Sequence, residues 1–182
     1  LRQSEFEAAS NRVEDRILET MHAYGQVLRG GVAFWRASES VSKDEWRAYF
    51  EGLALDQHYP GIQGIGFNAV LHSETERANF VAMMRATGLP DFAIRPSGPR
   101  DTYVPVVYLE PLNEMNKGAI GFDIYSESLR RDAVDRAIRT GAPSLTAKIT
   151  LVQEAVNGGE GEKQAGVLLI LPIFTGQGQD QT

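Results

Sequence analysis

Apolar residues recur every three to four positions along the first part of the chain: Phe6, Ala9, Val13, Ile17, Met21, Tyr24, Val27, Leu28, Val32 and Trp35. This spacing predicts one amphipathic helix over roughly residues 1–38, because such positions share one helix face. A pattern that runs beyond about 25 residues is typical of a stalk that packs on a partner helix as well as on its own domain. The pair Gly30-Gly31 indicates a bend or a close approach of another helix there.

Three further helices are predicted from their starting residues. Two Ser-x-x-Glu sequences, at Ser42 and Ser73, have the form of capping boxes, in which the hydroxyl and the carboxylate each bind a backbone amide. They predict helices that end near residues 55 and 87. Ser126 precedes an apolar stripe that stops at Gly141, so we expect it to cap the last helix.

Between the helices, short runs of β-forming residues predict strands at residues 62–70, 92–95, 103–109, 145–154 and 165–174. Gly64 and Gly66 in the first run indicate that another backbone or a bulge lies close to it. The last two runs flank a Gly-rich, charged linker at residues 157–164, which indicates an antiparallel hairpin. Helices that separate hairpin-connected strands predict an α+β fold with an antiparallel sheet and covering helices.

Composition narrows the possible functions. With 182 residues and 42% hydrophobic content, the chain can form one compact core. A net charge of -6 without a basic cluster argues against a nucleic-acid partner. The absence of cysteine excludes disulfides and thiolate zinc sites.

The longest apolar runs are shorter than the roughly 20 residues of a membrane-spanning helix. The lack of a leader or an initiator Met suggests a segment of a longer protein.

Catalytic and metal-binding motifs are missing from the sequence. His22, His58 and His72 lie far apart, and none has metal-ligand spacing with another His or a carboxylate pair. No Gly-x-Ser-x-Gly, His-Glu-x-x-His or Gly-Lys-Ser/Thr sequence occurs. We therefore expect a protein that is not an enzyme and that holds neither a metal nor a cofactor.

Asp123 lies inside the apolar stretch Ala119–Ile124, where a strand is predicted. Burial of a carboxylate costs several kcal/mol unless hydrogen bonds or an opposite charge compensate for it. Its partner is therefore a ligand from solution, or the backbone amides of the next helix, or Arg130 or Arg131. The residues alone leave these alternatives open.

An ordered set of motifs runs along the chain: Tyr59-Pro-Gly-Ile-Gln-Gly-Ile-Gly-Phe67, Tyr103-x-Pro-Val-x-Tyr-Leu-Glu-Pro111, Gly121-Phe-Asp123, Thr140-Gly141, Leu145-Thr146 and Leu151-Val-Gln153. In this order, from about Trp35 to Phe174, the chain resembles a CHASE domain. CHASE domains are extracytoplasmic sensors of transmembrane histidine kinases, diguanylate cyclases and adenylate cyclases. The resemblance implies a long stalk helix followed by PAS-like modules, of which the membrane-distal one binds ligand.

The resemblance also implies a domain plan and a site. Residues 1–41 would form the stalk and dimerisation helix, residues 42–176 the ligand-sensing module, and residues 177–182 a truncated tail. Asp123 would anchor a ligand, and Leu145 and Thr146 would offer main-chain and hydroxyl groups. The cavity would be lined by the side chains of Tyr103, Tyr108 and Gln153. The two tyrosines could equally be ordinary sheet aromatics.

The expected function is small-molecule sensing in the periplasm by a bacterial inner-membrane receptor, either a histidine kinase or a nucleotide cyclase. The expected partners are an unknown small molecule and a second copy of the chain, bound through the N-terminal helix in a homodimer. In the plant cytokinin receptors, which carry members of this family, an Asp binds the adenine ring of the ligand. The flanking sequence here is of the bacterial type, so the resemblance does not imply adenine specificity. The alternative is a structural or dimerisation module without a ligand, in which Asp123 only satisfies internal partners.

Overall fold

The computed structural model describes residues 2–151 and 165–175. Its helices are α1 (Arg2–Ala37), α2 (Lys43–Leu53), α3 (Leu55–His58), α4 (Glu74–Ala86), α5 (Glu114–Lys117) and α6 (Ser128–Thr140). Its strands are β1 (Ile65–Asn68), β2 (Val106–Glu110), β3 (Ser144–Leu145), β4 (Ile149–Thr150), β5 (Ala165–Gly166) and β6 (Leu169–Ile170). The predicted α+β architecture with a long N-terminal helix is confirmed. No helix among the described residues has the length and apolarity to span a bilayer.

The long helix α1 continues without interruption through Gly30 and Gly31, and α2 packs against it there. A Cβ atom on Gly30 would lie 2.8 Å from the hydroxyl of Tyr49, so the glycine permits the close approach that the sequence indicated. The capping box at the start of α2 is confirmed: the Ser42 amide donates to Glu45 at 2.7 Å, and the Glu45 amide donates to the Ser42 hydroxyl at 3.3 Å. α1 and α2 are therefore fixed to each other at their junction.

Strand β2 is central to a layer of four backbone segments. It pairs antiparallel with β1 on one side. On its other side, residues 121–124 exchange backbone hydrogen bonds with residues 104–106, and residue 95 in turn bonds to residues 121 and 123. Cβ atoms on Gly64 and Gly66 would lie 2.9 Å from carbonyl oxygens of the opposing strand, which confirms the predicted close backbone.

Both faces of this layer are covered, because successive residues of a strand point to opposite sides. One face forms a cluster with α4 that consists of Leu71, Val81, Met84, Phe92, Ile94, Tyr103 and Val107. The other face forms a cluster with α6 that consists of Val104, Val106, Ile124 and Val134. A third cluster joins α1, α2 and β1 through Val27, Val41, Trp46, Leu55 and Ile65.

The predicted C-terminal hairpin is antiparallel, but it forms two short ladders, β3 with β6 and β4 with β5. The linker at residues 157–164 and the tail at residues 177–182 lie outside the described residues. Helix α5 was not predicted, because it is a single turn that begins at its cap Asn113.

One predicted helix start and one predicted capping box need correction. α6 begins at Ser128 and is capped by Glu127, whose carboxylate accepts the amides of Leu129 and Arg130 at 3.2 Å. Ser126 is not the cap, because its amide and hydroxyl both donate to the Asp123 carbonyl within a 3-10 turn at Ile124–Ser126. At α4, Ser73 caps as predicted, but Glu76 accepts the amide of residue 72 instead of closing a capping box.

Gly121 lies where three backbone segments meet. Its amide donates to the Val106 carbonyl at 2.8 Å, and its carbonyl accepts the Arg95 amide at 2.9 Å. Its φ of +80° is one that residues with a side chain rarely adopt, and a Cβ atom there would overlap the Ala93 carbonyl. The glycine of the Gly-Phe-Asp motif is therefore required by the backbone geometry next to Asp123.

We predict that Gly121→Ala lowers the free energy of unfolding by about 2–5 kcal/mol, because the positive φ and the steric overlap both oppose a methyl group. Urea unfolding would measure it. Gly88→Ala is the matched control: its φ is also positive, at +106°, but nothing lies within 4 Å of the added atom. Its expected loss is only about 1–2 kcal/mol. Equal losses in the two variants would contradict the overlap with Ala93.

Candidate functional site

Asp123 is fully buried at the end of the backbone segment that pairs with β2. The flanking residues Phe122 and Ile124 pack into the cluster beneath α6, so the aspartate is carried into the interior between them. Its amide donates to the Arg95 carbonyl at 2.7 Å, and Asp123 is the N-cap of the 3-10 turn that follows. The apolar neighbours thus explain why a charged residue lies in the core.

The carboxylate of Asp123 has three donors. Its Oδ1 accepts the amide of Val104 at 2.7 Å and the amide of Tyr125 at 3.0 Å. Its Oδ2 accepts Nε of Arg100 at 3.0 Å. Hydrogen bonds from charged and backbone donors compensate for the desolvation of a buried carboxylate. One oxygen is therefore bound by the backbone, and the other by a single side chain.

The cationic partner is Arg100 and not the two arginines that the sequence suggested. Arg130 instead donates to Glu127 at 2.9 Å and to the Thr150 carbonyl at 2.7 Å. The guanidinium of Arg131 lies 5.9 Å from the centre of the Tyr125 ring. Arg130 and Arg131 were expected because they are close to Asp123 in the sequence. The fold instead places the loop before residue 103, with Arg100, next to Asp123.

Arg100 covers Asp123 on the side nearer to solvent, with 24% of its side chain exposed. Its Nη2 donates to the Pro96 carbonyl at 2.8 Å, and its guanidinium lies 4.8 Å from the centre of the Tyr103 ring. Its backbone amide donates to the Tyr103 hydroxyl at 2.7 Å. Three contacts besides the ion pair therefore hold the arginine over the carboxylate.

Tyr103 extends this network to α4. Its hydroxyl donates to Oε2 of Glu74 at 2.6 Å, and Glu74 also pairs with Arg77. The hydrogen bond from Arg77, followed by that from Tyr103, lowers the pKa of Glu74. Burial, followed by the hydrogen bond to Glu74, raises the pKa of Tyr103. At neutral pH the tyrosine therefore keeps its proton, and charges alternate along the network from Asp123 to Arg77.

The other predicted ligand-binding residues have separate partners. The Leu145 carbonyl accepts Nη2 of Arg136 at 2.6 Å, and Thr146 exchanges two 2.9 Å hydrogen bonds with the backbone of Leu168. The hydroxyl of Tyr108 donates to the Val41 carbonyl at 3.2 Å. Gln153 lies outside the described residues. Of the predicted residues that the structure describes, only Tyr103 is joined to Asp123, through Arg100.

Two small hollows lie among the described residues. One lies beside β2 and includes Tyr108, Lys43 and Leu89; the other lies between α1 and β1. Each has a volume of about 40 Å³, whereas sites for drug-sized ligands have roughly 300–1,000 Å³. Neither is lined by Asp123. The described part of the chain also has no group of three His, Asp or Glu residues that could hold a metal ion.

We predict that Asp123→Asn lowers the free energy of unfolding by about 2–4 kcal/mol, because an amide nitrogen would face Arg100 without a counter-charge. Arg100→Met should cost a similar amount, since it leaves a buried charge unpaired. The double variant should lose less than the sum of the two. Chemical denaturation of the four proteins would measure the coupling.

The matched control for these variants is Lys117→Met, which breaks an exposed ion pair with Glu114. Its expected cost is below about 1 kcal/mol. Additive losses in the double variant, or a loss for Arg100→Met no larger than that of the control, would contradict the importance of the buried pair.

Comparison with known protein families identifies one match. The family model described as CHASE domain matches residues 39–182, which is more than half of the chain. A search of curated proteins finds no match. The matched region contains Asp123, Arg100 and Tyr103, together with α2 to α6.

Proposed function

The chain belongs to the CHASE domain family, and we propose on that premise that it senses a small molecule for a bacterial transmembrane receptor. CHASE domains are extracytoplasmic sensory domains of receptors and are not catalytic. We further propose that the domain lies in the periplasm, and that the parent receptor is a histidine kinase or a diguanylate or adenylate cyclase. The signal would pass through α1.

The observation that carries this proposal is the division of α1 into two parts. The helix has 36 residues, which correspond to about 54 Å at 1.5 Å per residue. Near its C-terminus, Val27 and Trp35 pack into the domain core with Trp46. Near its N-terminus, the apolar side chains are exposed. A continuous helix with one end in the core can transmit a shift of the core along its length.

The exposed part of α1 supports a homodimer. Phe6, Val13 and Ile17 are separated by seven and four residues, which places them on one seam of a heptad repeat. Val27 continues the seam into the core of the domain. Apolar residues at this spacing typically pack on a second helix, and a second copy of the chain offers an identical seam. We propose that the copies pair in parallel through it.

The ligand site that we propose uses Oδ2 of Asp123, the carboxylate oxygen that is bound by a side chain. Oδ1 is bound to two backbone amides inside the layer, whereas Arg100 is the one partner of Oδ2 among the described residues. A ligand with a positive charge or a strong donor could replace the guanidinium at Oδ2. Arg100 also bonds to Pro96 and Tyr103, so its displacement would disturb the loop at residues 96–100. Leu145, Thr146, Tyr108 and Gln153 remain candidates for the rest of the site.

Such a ligand changes the receptor only by its differential affinity for the two arrangements of the domain. Displacement of Arg100 breaks contacts with the loop and with Tyr103, which in turn bonds to α4 through Glu74. The ligand must supply enough binding energy to offset these losses. This requirement favours a cationic ligand, because a neutral donor would leave the carboxylate without a counter-charge.

The second candidate is a structural or dimerisation module without a ligand. The observation that favours it is the complete set of internal partners on the Asp123 carboxylate. In that case Asp123 serves only to hold the layer together, and α1 is the functional surface. The two candidates differ in one respect: the sensory one requires Oδ2 to be accessible to a molecule from solution.

Chemical rescue tests this access. We predict that Arg100→Ala is destabilised, and that methylguanidinium raises its melting temperature by occupying the position of the lost guanidinium. A thermal-shift titration measures the effect. Arg85→Ala is the control, because Arg85 donates to a carbonyl of Phe92 and not to a buried carboxylate. An equal rise in melting temperature for the two variants would favour the structural module. Cationic metabolites that bind Arg100→Ala more tightly than they bind the wild type would support the sensor.

Disulfide cross-linking tests the dimer. The sequence has no cysteine, so an introduced cysteine can form a disulfide only with its copy in a second chain. We predict that Ile17→Cys forms a disulfide between two copies faster than Asp15→Cys, because residue 17 lies on the seam and residue 15 on the opposite side of the helix. Both side chains are exposed, so neither change should unfold the domain. Gel electrophoresis without reductant follows the reaction. Equal rates at the two positions would contradict pairing through this seam.

A further inference from the structure

The guanidinium of Arg100 is surrounded by groups from three other residues. Its Nε donates to Oδ2 of Asp123 at 3.0 Å, and its Nη2 donates to the Pro96 carbonyl at 2.8 Å. It also lies over the ring of Tyr103, 4.8 Å from the ring centre. One carboxylate, one carbonyl and one aromatic face therefore meet at the cationic group. We call the position that they surround the guanidinium site.

These three groups are held in place by other parts of the chain. Asp123 and Tyr103 are fully buried. Two backbone amides bind Oδ1 of Asp123, and the amide and carbonyl of Tyr103 both bond to the segment before α4. Pro96 follows Arg95, whose amide and carbonyl each bond to the segment that carries Asp123. The guanidinium site would therefore persist if Arg100 moved away.

The segment that carries Arg100 lies on the surface. Residues 97–99 are exposed, and the Tyr103 hydroxyl accepts the Arg100 amide at 2.7 Å. Within the described part of the chain, residues 96–100 belong to none of the three hydrophobic clusters. Displacement of this segment therefore breaks polar contacts and leaves the clusters assembled.

We propose that the guanidinium site selects the ligand, and that the ligand is a planar cation with N–H groups on two neighbouring nitrogens, such as a substituted guanidine or amidine. Arg100 then acts as an internal substitute for the ligand. This inference rests on the proposed function, because it requires that a molecule from solution displaces Arg100. It adds the chemical class of that molecule.

Three properties of the site define this class. The buried carboxylate of Asp123 requires a positive charge, because a neutral donor leaves it without a counter-ion. The acceptors on Asp123 and Pro96 are reached by two different nitrogens of one flat group, whereas an ammonium group offers a single nitrogen. The ring of Tyr103 attracts a cation over its face, and a flat cation keeps its N–H groups free for the two acceptors.

Thermal-shift titrations of Arg100→Ala with four probes test the class. Methylguanidinium has the charge, the flat shape and two donor nitrogens. Methylammonium has one donor nitrogen, tetramethylammonium has the charge without a donor, and methylurea has the shape without the charge. We expect methylguanidinium to bind at least roughly tenfold more tightly than each of the others, as the loss of one charge-assisted hydrogen bond implies. Arg85→Ala receives the same probes and corrects for their general effects on unfolding.

The outcomes separate this inference from the proposed function. Suppose that methylammonium binds Arg100→Ala as tightly as methylguanidinium does, and that both prefer it to Arg85→Ala. The cationic ligand then stands, and the planar class is wrong. Equal binding of methylurea would also overturn the class. If no probe prefers Arg100→Ala to Arg85→Ala, both the class and the cationic ligand are wrong.

Tyr103→Phe provides a second test, in which Arg100 remains to pair with Asp123. This variant keeps the aromatic ring but lacks the hydroxyl that accepts the Arg100 amide. We expect methylguanidinium to displace Arg100 at a concentration roughly fivefold to tenfold lower than in the natural chain. Solvent exchange of the Arg100 Nε–H, followed by NMR, measures the displacement.

Tyr49→Phe is the matched control for this second test, because its hydroxyl bonds to a carbonyl of α1 and lies outside the guanidinium site. We expect it to behave as the natural chain does. Displacement at equal concentrations in Tyr103→Phe and Tyr49→Phe would overturn the inference. Displacement of Arg100 by methylammonium as readily as by methylguanidinium would overturn it as well.

Discussion

The buried carboxylate of Asp123 is the interaction on which the central part of the domain depends. One side chain joins the amide of Val104 in the middle of the layer, the amide of Tyr125 at the start of a 3-10 turn, and the guanidinium of Arg100 on a loop. Removal of the carboxylate leaves these three donors without their acceptor. Gly121 belongs to the same feature, because only a glycine allows the backbone to bring Asp123 to this position.

The local signals in the sequence predicted the four longer helices, α1, α2, α4 and α6, but not the one-turn helices α3 and α5. The 3.6-residue period gave α1 nearly residue by residue, and Ser42 with Glu45 marked the start of α2. The start of α6 was misplaced because Ser126 and Glu127 are both good caps, and the preceding turn claims the hydroxyl of Ser126. Which of the two residues caps the helix depends on where the fold places the Asp123 carbonyl. The sequence pattern carries no information about that position.

The site was predicted only in part for a related reason. An aspartate in an apolar stretch needs a partner wherever the chain folds, so the importance of Asp123 followed from its neighbours alone. The identity of the partner did not, because Arg100 is distant in sequence and lies on a loop without periodicity. The small hollow between α1 and β1 could not be predicted either, because residues of α1, α2, β1 and the segment after β6 line it.

We propose that the two oxygens of Asp123 have different roles: Oδ1 holds the layer, whereas Oδ2 would bind a ligand that displaces Arg100. The most direct measurement is the solvent exchange of the Arg100 Nε–H and the Val104 amide by NMR, with and without a bound cationic ligand. We predict that the ligand exposes the Arg100 Nε–H to exchange while the Val104 amide stays protected. A ligand that binds and leaves both protons equally protected would contradict it.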